Sequence, residues 1–593
     1  MPEKKRKTLY WLAGIIVFIL LTMGSIVIFY AYHYEHILKT KLQKEVFEKS
    51  KGLYRLEMDR VIIRPFIGKI KINQPRLLPD TNRYNQLKEL SLAPPSLYTA
   101  SCKTIQLSNV NLWDYFKYKK LSIRLLLIEQ PKLVLVKDLN IQLTKTTKPI
   151  ENLYQMIASL FKATQLRAIK IIDGDFTYNR KTQNKTTSIH INKFTIEADD
   201  FLVDSVSEMD TTRFFYCKNI QVQVADYNYL TPNNRYSFSI GQFNLSTSDS
   251  SITLVNVNLT PRFKKEVFAQ KAGEQTDCFT LTTDSVYLKG VQLRTLLFDE
   301  RIRVKNIEII KPQFESYRDK NVKRKNFKEK LLFHQMLQQL PHEVLIANLK
   351  IKNGYINYEE VPEKGKQAGA IYFTNLYADF TNINNIISTS IPKNININAQ
   401  AFLMGSGDLH VKFILPVNPS EKTFKVNGSL KAMDIDRMNT ALEKLAYIRV
   451  RTGRVNQLNF DITATPDVSK THLKFLYSNL ELQLLNKQTG TTERQGLAST
   501  LVNALIIDES NPIAGLPPRI INVSYHRDKT RSVFNFLWKS LFMAIKPAVG
   551  VTAKKEIKIA DLKTKFEAYK NKSKRKREAR KLQQELEKQS NRK

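Results

Sequence analysis

The chain repeats itself, and a duplication narrows the possible folds more than any single motif does. LRAIKIIDGDFTYNR at Leu166 is answered by IANLKIKNGYINYEE at Ile346, and SIHINKFTIEAD by AIYFTNLYAD. Lys170, Ile171, Gly174, Tyr178, Ile191, Ala198 and Asp199 match Lys350, Ile351, Gly354, Tyr358, Ile371, Ala378 and Asp379, all at an offset of 180. Upstream, TIQLSNVNL at Thr104 recurs as SVYLKGVQL at Ser285, offset 181. Tyr54, Ile70, Leu77 and Pro79 recur as Tyr236, Ile252, Leu259 and Pro261, offset 182. These matches predict two tandem copies of about 180 residues, 54–235 and 236–410.

Inside the copies the apolar residues alternate, as in Ile70 and Ile72, Ile105 and Leu107, or Val286 and Leu288. The alternation continues beyond them in Leu473, Phe475 and Tyr477, then Leu480, Leu482 and Leu484. A period of two marks half-buried strands. Asp173-Gly174, Asn353-Gly354 and Asn427-Gly428 have the chemistry of hairpin turns. Tyr178 and Tyr358 then fall on returning strands. Helical patterns are short: Ile150–Leu160, Phe333–Leu340, Asp436–Tyr447 and Leu497–Ile507. Without regular strand–helix alternation, a doubly wound parallel sheet is excluded. The expected fold is mainly β, a long and mostly antiparallel sheet with a few short helices. Residues 411–530 form a C-terminal β region with short helices of its own.

The start of the chain is different. Residues 1–7 carry four cations, and Thr8 to Tyr32 contains no charged residue. Twenty-five helical residues would span about 38 Å, against about 30 Å of hydrocarbon. Tyr10 and Trp11 at one end, and Tyr30 and Tyr32 at the other, suit the two interfaces. A cleaved signal peptide is the rival, but its apolar region is usually shorter. The cations of residues 1–7 argue for an N-terminus in the cytoplasm, which puts residues 33–593, with a connector at 33–53, outside it.

At the other end, 531–551 reads as an amphipathic helix with Phe534, Leu537, Leu541 and Ile545 on one face. Such a face suits a membrane surface or the edge of a sheet. The tail 552–593 is basic, with 16 Lys/Arg against 6 Asp/Glu from Lys554 on. The whole chain carries a formal charge of +38. Acidic partners follow, foremost an anionic membrane surface met by the tail. Nucleic acid would require that the anchor leave the tail in the cytoplasm.

Catalytic chemistry is absent from the sequence. No HExxH or GxSxG occurs, the eight histidines are scattered, and three cysteines form no CxxC. Asp199 and Asp379 read as one strand-end role used twice. No cofactor, metal or enzymatic activity is expected.

Together the pattern resembles the AsmA-like proteins of Gram-negative envelopes, in the large form found in Bacteroidota. The resemblance rests on the anchor, VIIRPFIGKIKINQPRL at Val61, IEQPKLVLVKD at Ile128 and IIKPQFESYRDK at Ile309. It also rests on NGYINYEE at Asn353, GAIYFTNLYADFTNINN at Gly369, GRVNQLNFDITAT at Gly453, HLKFLYSNLELQLL at His472 and SVFNFLWKS at Ser532. It implies a single-pass inner-membrane protein with its bulk in the periplasm, whose sheet curls into an apolar groove. Relatives of that kind are implicated in moving lipid between membranes or in outer-membrane homeostasis. The groove-lining candidates are Ile189 and Ile191, Ile371 and Phe373, and Leu473, Phe475 and Tyr477. Alternation itself shows only one apolar face, which an opposing layer could equally close. The second reading is therefore a structural or assembly factor with a closed β core and envelope protein partners.

Overall fold

A computed structural model describes residues 34–141, 162–183, 185–207, 209–325, 327–485 and 507–551, with Lys555 and Ala579. The anchor with Tyr10, Trp11, Tyr30 and Tyr32, the helices expected at 150–160 and 497–507, and almost all of the tail lie outside the described residues. Among the described residues no helix is long and apolar enough to cross a membrane. The protein is mainly β, and its sheet is mostly antiparallel. It divides into two compact units, 1–260 with 283–299, and 261–282 with 300–593.

The first unit holds β1 (Tyr54–Glu57), β2 (Arg60–Arg64), β3 (Lys69–Asn73), β4 (Arg76–Pro79), β5 (Ser96–Ser101), β6 (Thr104–Asn111), β7 (Lys120–Glu129) and β8 (Lys132–Asp138). It continues with β9 (Ala163–Lys181), β10 (Thr186–Val203), β11 (Asn219–Leu230), β12 (Tyr236–Ser246) and β13 (Ser251–Pro261). β9 is the pivot. Its first half pairs in parallel with β7, and its second half pairs in parallel with β8. From β7 the ladder runs through β6 and β3 to β2. From β8 it runs through β5 and β4 to β1. On the other side β9 pairs with β10, β10 with β11, and β11 with β12. Short strands on one side are thus halves of long broken ones. A helix over 34–49 closes the outer edge: Glu35 accepts from the Ile63 amide at 3.0 Å, and Gln43 donates to the Leu56 carbonyl at 3.0 Å. An edge covered in this way cannot template another strand.

β14 (Cys278–Val291) has residues in both units, 278–282 in the second and 283–291 in the first. The second unit adds β15 (Ile302–Ile310), β16 (Gln313–Asp319), β17 (Val344–Val361), β18 (Gly369–Asn384), β19 (Asn394–Leu403) and β20 (Gly407–Pro416). β21 (Phe424–Leu430), β22 (Met433–Asp434), β23 (Ile448–Ala464), β24 (Val468–Leu484) and β25 (Ile520–His526) follow. β15 and β16 both pair in parallel with β17, as β7 and β8 do with β9. From β17 the order is antiparallel through β18, β19, β20, β21, β23, β24 and β25.

Three turn expectations fail. Asp173-Gly174, Asn353-Gly354 and Asn427-Gly428 lie inside β9, β17 and β21, not between strands. Asp173 and Asn353 both take φ of 55°, and each marks a register shift, so these are bulges. Gly174 is required because a Cβ there would stand 2.3 Å from the Phe194 ring. Tyr178 and Tyr358 accordingly lie farther along the same strands, not on returning ones.

Left-handed residues recur along the chain. Gly68 and Ser250 (φ 57° and 48°) are 182 apart, and Gln130 and Lys311 (50° and 48°) are 181 apart. Asp173 and Asn353 are 180 apart, and Lys193 and Asn375 (both 50°) are 182 apart. Strand registers recur too: Leu97 faces Val136, and Cys278 faces Tyr317. Lys170 faces Glu197 as Lys350 faces Asp379. The match of Ile191 with Ile371 and Asp199 with Asp379 is corrected by these pairs. Tyr178 faces Ile189 whereas Tyr358 faces Ile371, because the second hairpin is two residues longer.

Candidate functional site

Residues that pair directly across strands share a face of the sheet. In the first unit, Val61 pairs with Ile72, Ile72 with Ile105, and Ile105 with Ile128. Ile128 then pairs with Ile171, Ile171 with Ile196, Ile196 with Val222 and Val222 with Leu245. A second row beside it runs from Ile63 and Ile70 through Leu107, Leu126 and Ile169 to Ala198 and Ile220. Every member of both rows is aliphatic. The positions between them point to the other face and are mostly polar, Lys71, Gln106, Lys170, Glu197, Gln221 and Ser246, with Ile62 and Leu127 the apolar exceptions.

Beyond the bulges the apolar face goes on. Leu56, Leu77, Ala100, Leu133, Phe176 and Ile191 form one row. Tyr98, Leu135, Tyr178 and Ile189 form the next. Each bulge adds one residue to the alternation, so both blocks stay on one side; the Phe194 ring over Gly174 marks the junction. Among the described residues of this unit no second sheet lies over the rows. Helices pack closely at the margins: the helix over 34–49 along the outer edge at Ile63 and Leu56, Leu112–Tyr118 beside β7, and a 3-10 turn, Pro65–Ile67, beside β3 and β6. Most row members are only half-buried, and Ile189 is 37% exposed.

The second unit begins in the same way and ends differently. Ile371 and Phe373 are half-buried on β18, facing Tyr358 and Ile356, and Ile371 flanks the core of this unit. Leu473, Phe475 and Tyr477 are buried at 0%, 6% and 1% exposure. They do not line an open groove. Leu458, Phe460 and Ile462 from β23 pack with them, and the helix Val533–Ala548 lies over β24 and β25. Tyr477 donates its hydroxyl to the Asp508 carbonyl at 3.0 Å.

That helix sits on the sheet through Val533, Phe536, Ser540, Ala544 and Ala548. Ser540 meets Ser469 of β24 at 2.6 Å between hydroxyls, both fully buried. Leu537, Leu541 and Ile545 flank the same core, and Phe534 alone of the expected face is well exposed. A face packed on protein is not available to a bilayer.

A polar island interrupts the apolar side of β16 and β17. Arg318 grips Asp277 with two hydrogen bonds, and Tyr358 donates to Glu360 at 2.6 Å. Lys320 pairs with the same Glu360. Burial and the Glu360 carboxylate push the Tyr358 phenol far above its ordinary value. Sequence reading singled out none of these except Tyr358; the pairing of Arg318 with Asp277 depends on strand register.

The Cys102, Cys217 and Cys278 thiols are free, and burial pushes each up to about 11, away from reactive thiolate. Among the described residues no three His, Cys, Asp or Glu converge as a metal site. Asp199 takes a hydrogen bond from Asn219, and Asp379 pairs with Lys350 on the surface. No protein-family model matches the chain. No curated protein matches it.

Proposed function

We propose that this is a non-enzymatic, membrane-anchored protein of the AsmA-like kind that binds or transfers lipid on the apolar sheet face of its first unit. The aliphatic rows, over which no second sheet lies among the described residues, carry the proposal. A continuous apolar face wider than an acyl chain gains about 0.8 kcal/mol for each CH₂ taken from water, with no directional contact needed. The two tandem copies, 54–235 and 236–410, belong to the same proposal. The recurring left-handed residues and strand registers support them. So do the uncharged Thr8–Tyr32 segment and its cationic flank for an inner-membrane, largely periplasmic location. The filled end of the second unit favours the other reading, an envelope assembly factor, for that part of the chain.

Photo-reactive phospholipid presented to the full chain tests the idea. Ile191→Asp should stay folded, because water reaches the half-buried position, and should lose most of its crosslinking. Phe475→Asp should unfold its region instead, since a buried unpaired carboxylate costs several kcal/mol. A folded Ile191→Asp protein with undiminished crosslinking would rule out the face at that position.

A further inference from the structure

Strand directions bring one set of connections to a single end of the first unit's sheet. There lie the turn Pro65–Ile67 between β2 and β3, the helix Leu112–Tyr118 between β6 and β7, and the 204–218 loop between β10 and β11. The helix Leu293–Phe298 after β14 joins them. Val110 donates its amide to the Gly68 carbonyl at 2.9 Å, which fixes the turn against β6. Arg294 donates to the Arg213 carbonyl at 2.6 Å, and the Phe298 ring meets Phe215 at 5.5 Å. This end exposes large apolar side chains: Phe66 at 84%, Trp113 at 70%, Met209 at 86% and Phe298 at 60%. Tyr118 is exposed too, with Lys117 over its ring at 5.1 Å. Arg64, Lys117, Lys119 and Lys162 are exposed among them. At the opposite end the connections 182–185 and 231–235 and the helix Thr81–Glu89 are polar in sequence, and the segment after that helix exposes aliphatic Leu90 and Leu92, at 64% and 66%, but no aromatic ring.

We infer that this rim docks on an anionic bilayer, inserting its rings at the interface while its cations meet lipid phosphates. Two observations choose a bilayer over a protein. First, aromatic rings interleaved with lysines match the chemistry of the membrane interface. Second, the helix over 34–49 runs from this end of the sheet, with Glu35 nearer to it than Gln43. Glu35 binds the Ile63 amide and lies 3.8 Å from Arg60, so Tyr34 enters beside the Phe66 turn. The 25 uncharged residues Thr8–Tyr32 lie immediately upstream, so the bilayer they would enter is the one the rim faces. The inference uses the anchor of the proposed function and is independent of lipid on the apolar face.

The test uses the full chain in phosphatidylcholine–phosphatidylglycerol vesicles whose acyl chains carry bromine, a contact quencher of indole. Trp11→Phe and Trp538→Phe leave Trp113 as the single reporter. A second protein carries Phe298→Trp with all three native tryptophans replaced by Phe. Both reporters should emit at short wavelength and lose most of their intensity. Long-wavelength, unquenched emission from either means water and overturns the rim. Short-wavelength but unquenched emission means cover by protein, such as a second copy, and overturns it equally. Quenching must also persist when Ile191→Asp is added; its loss would assign the signal to lipid on the sheet face and sink the inference. Retention of the chain by vesicles after alkaline extraction reports the anchor separately.

Discussion

At the residue scale, two inward-facing polar groups of the second unit make contributions to stability that can be measured. His334 is buried against the Phe424 ring, 5.7 Å between centroids, and among the described residues its Nδ1 has no hydrogen-bond partner. Burial, reinforced by the Arg527 guanidinium, holds its pKa below the ordinary value. The unfolded chain takes up this proton near pH 6.5. The stability it contributes is therefore full above that pH and is lost as pH falls through the lowered folded value. Thermal unfolding from about pH 7.5 down to about pH 5 should show the loss, and His334→Phe should flatten it. Arg318 makes the second case. Asp277→Ala leaves its partly buried cation without its bidentate partner and should cost about 1–3 kcal/mol. Hydrogen exchange at β14 and β16 amides would register it, and a second change, Arg318→Leu, should recover much of the loss.

At the element scale, strands were legible and their punctuation was not. Alternation in Ile105, Leu107, Leu473 and Phe475 is a local property, and each pair lies in a strand. Asp-Gly and Asn-Gly supply positive φ equally to a hairpin turn and to a bulge. Only pairing with β10, β18 or β23 tells them apart, and pairing is long-range. The C-terminal helix shows a similar limit. Large side chains at Phe534, Leu537, Leu541 and Ile545 suggest the buried face, yet Ser540 and Ala544 go deepest. Small residues let the helix backbone approach the sheet, and a hydrophobicity pattern gives them little weight. Phe536→Ala should therefore cost about 3–5 kcal/mol, whereas Phe534→Ser should change thermal stability little. Equal losses from both would mean that the helix is not seated by this stripe.

At the scale of the whole molecule, the aliphatic rows were legible only strand by strand. That Val61, Ile128, Ile196 and Leu245 fall in one line depends on seven separate registers. Which part of the apolar side is covered depends on helices whose docking no local pattern encodes. Topology rests on simpler physics. A Lys/Arg-rich flank resists translocation, and residues 1–7 hold Lys4, Lys5, Arg6 and Lys7 ahead of an uncharged span. The span's far side, His33 to Gly52, holds five lysines beside three glutamates, so the bias toward an inside N-terminus is modest. The expected C-terminus is therefore periplasmic, and its basic tail can meet anionic lipid only from that side. Alkaline phosphatase fused after Lys593 should be active, while a reporter that matures only in the cytoplasm should be dark. The reverse pattern would place the aliphatic rows in the cytoplasm and remove the envelope from the proposed function, while leaving the rim's contact with the bilayer to be measured on the other leaflet.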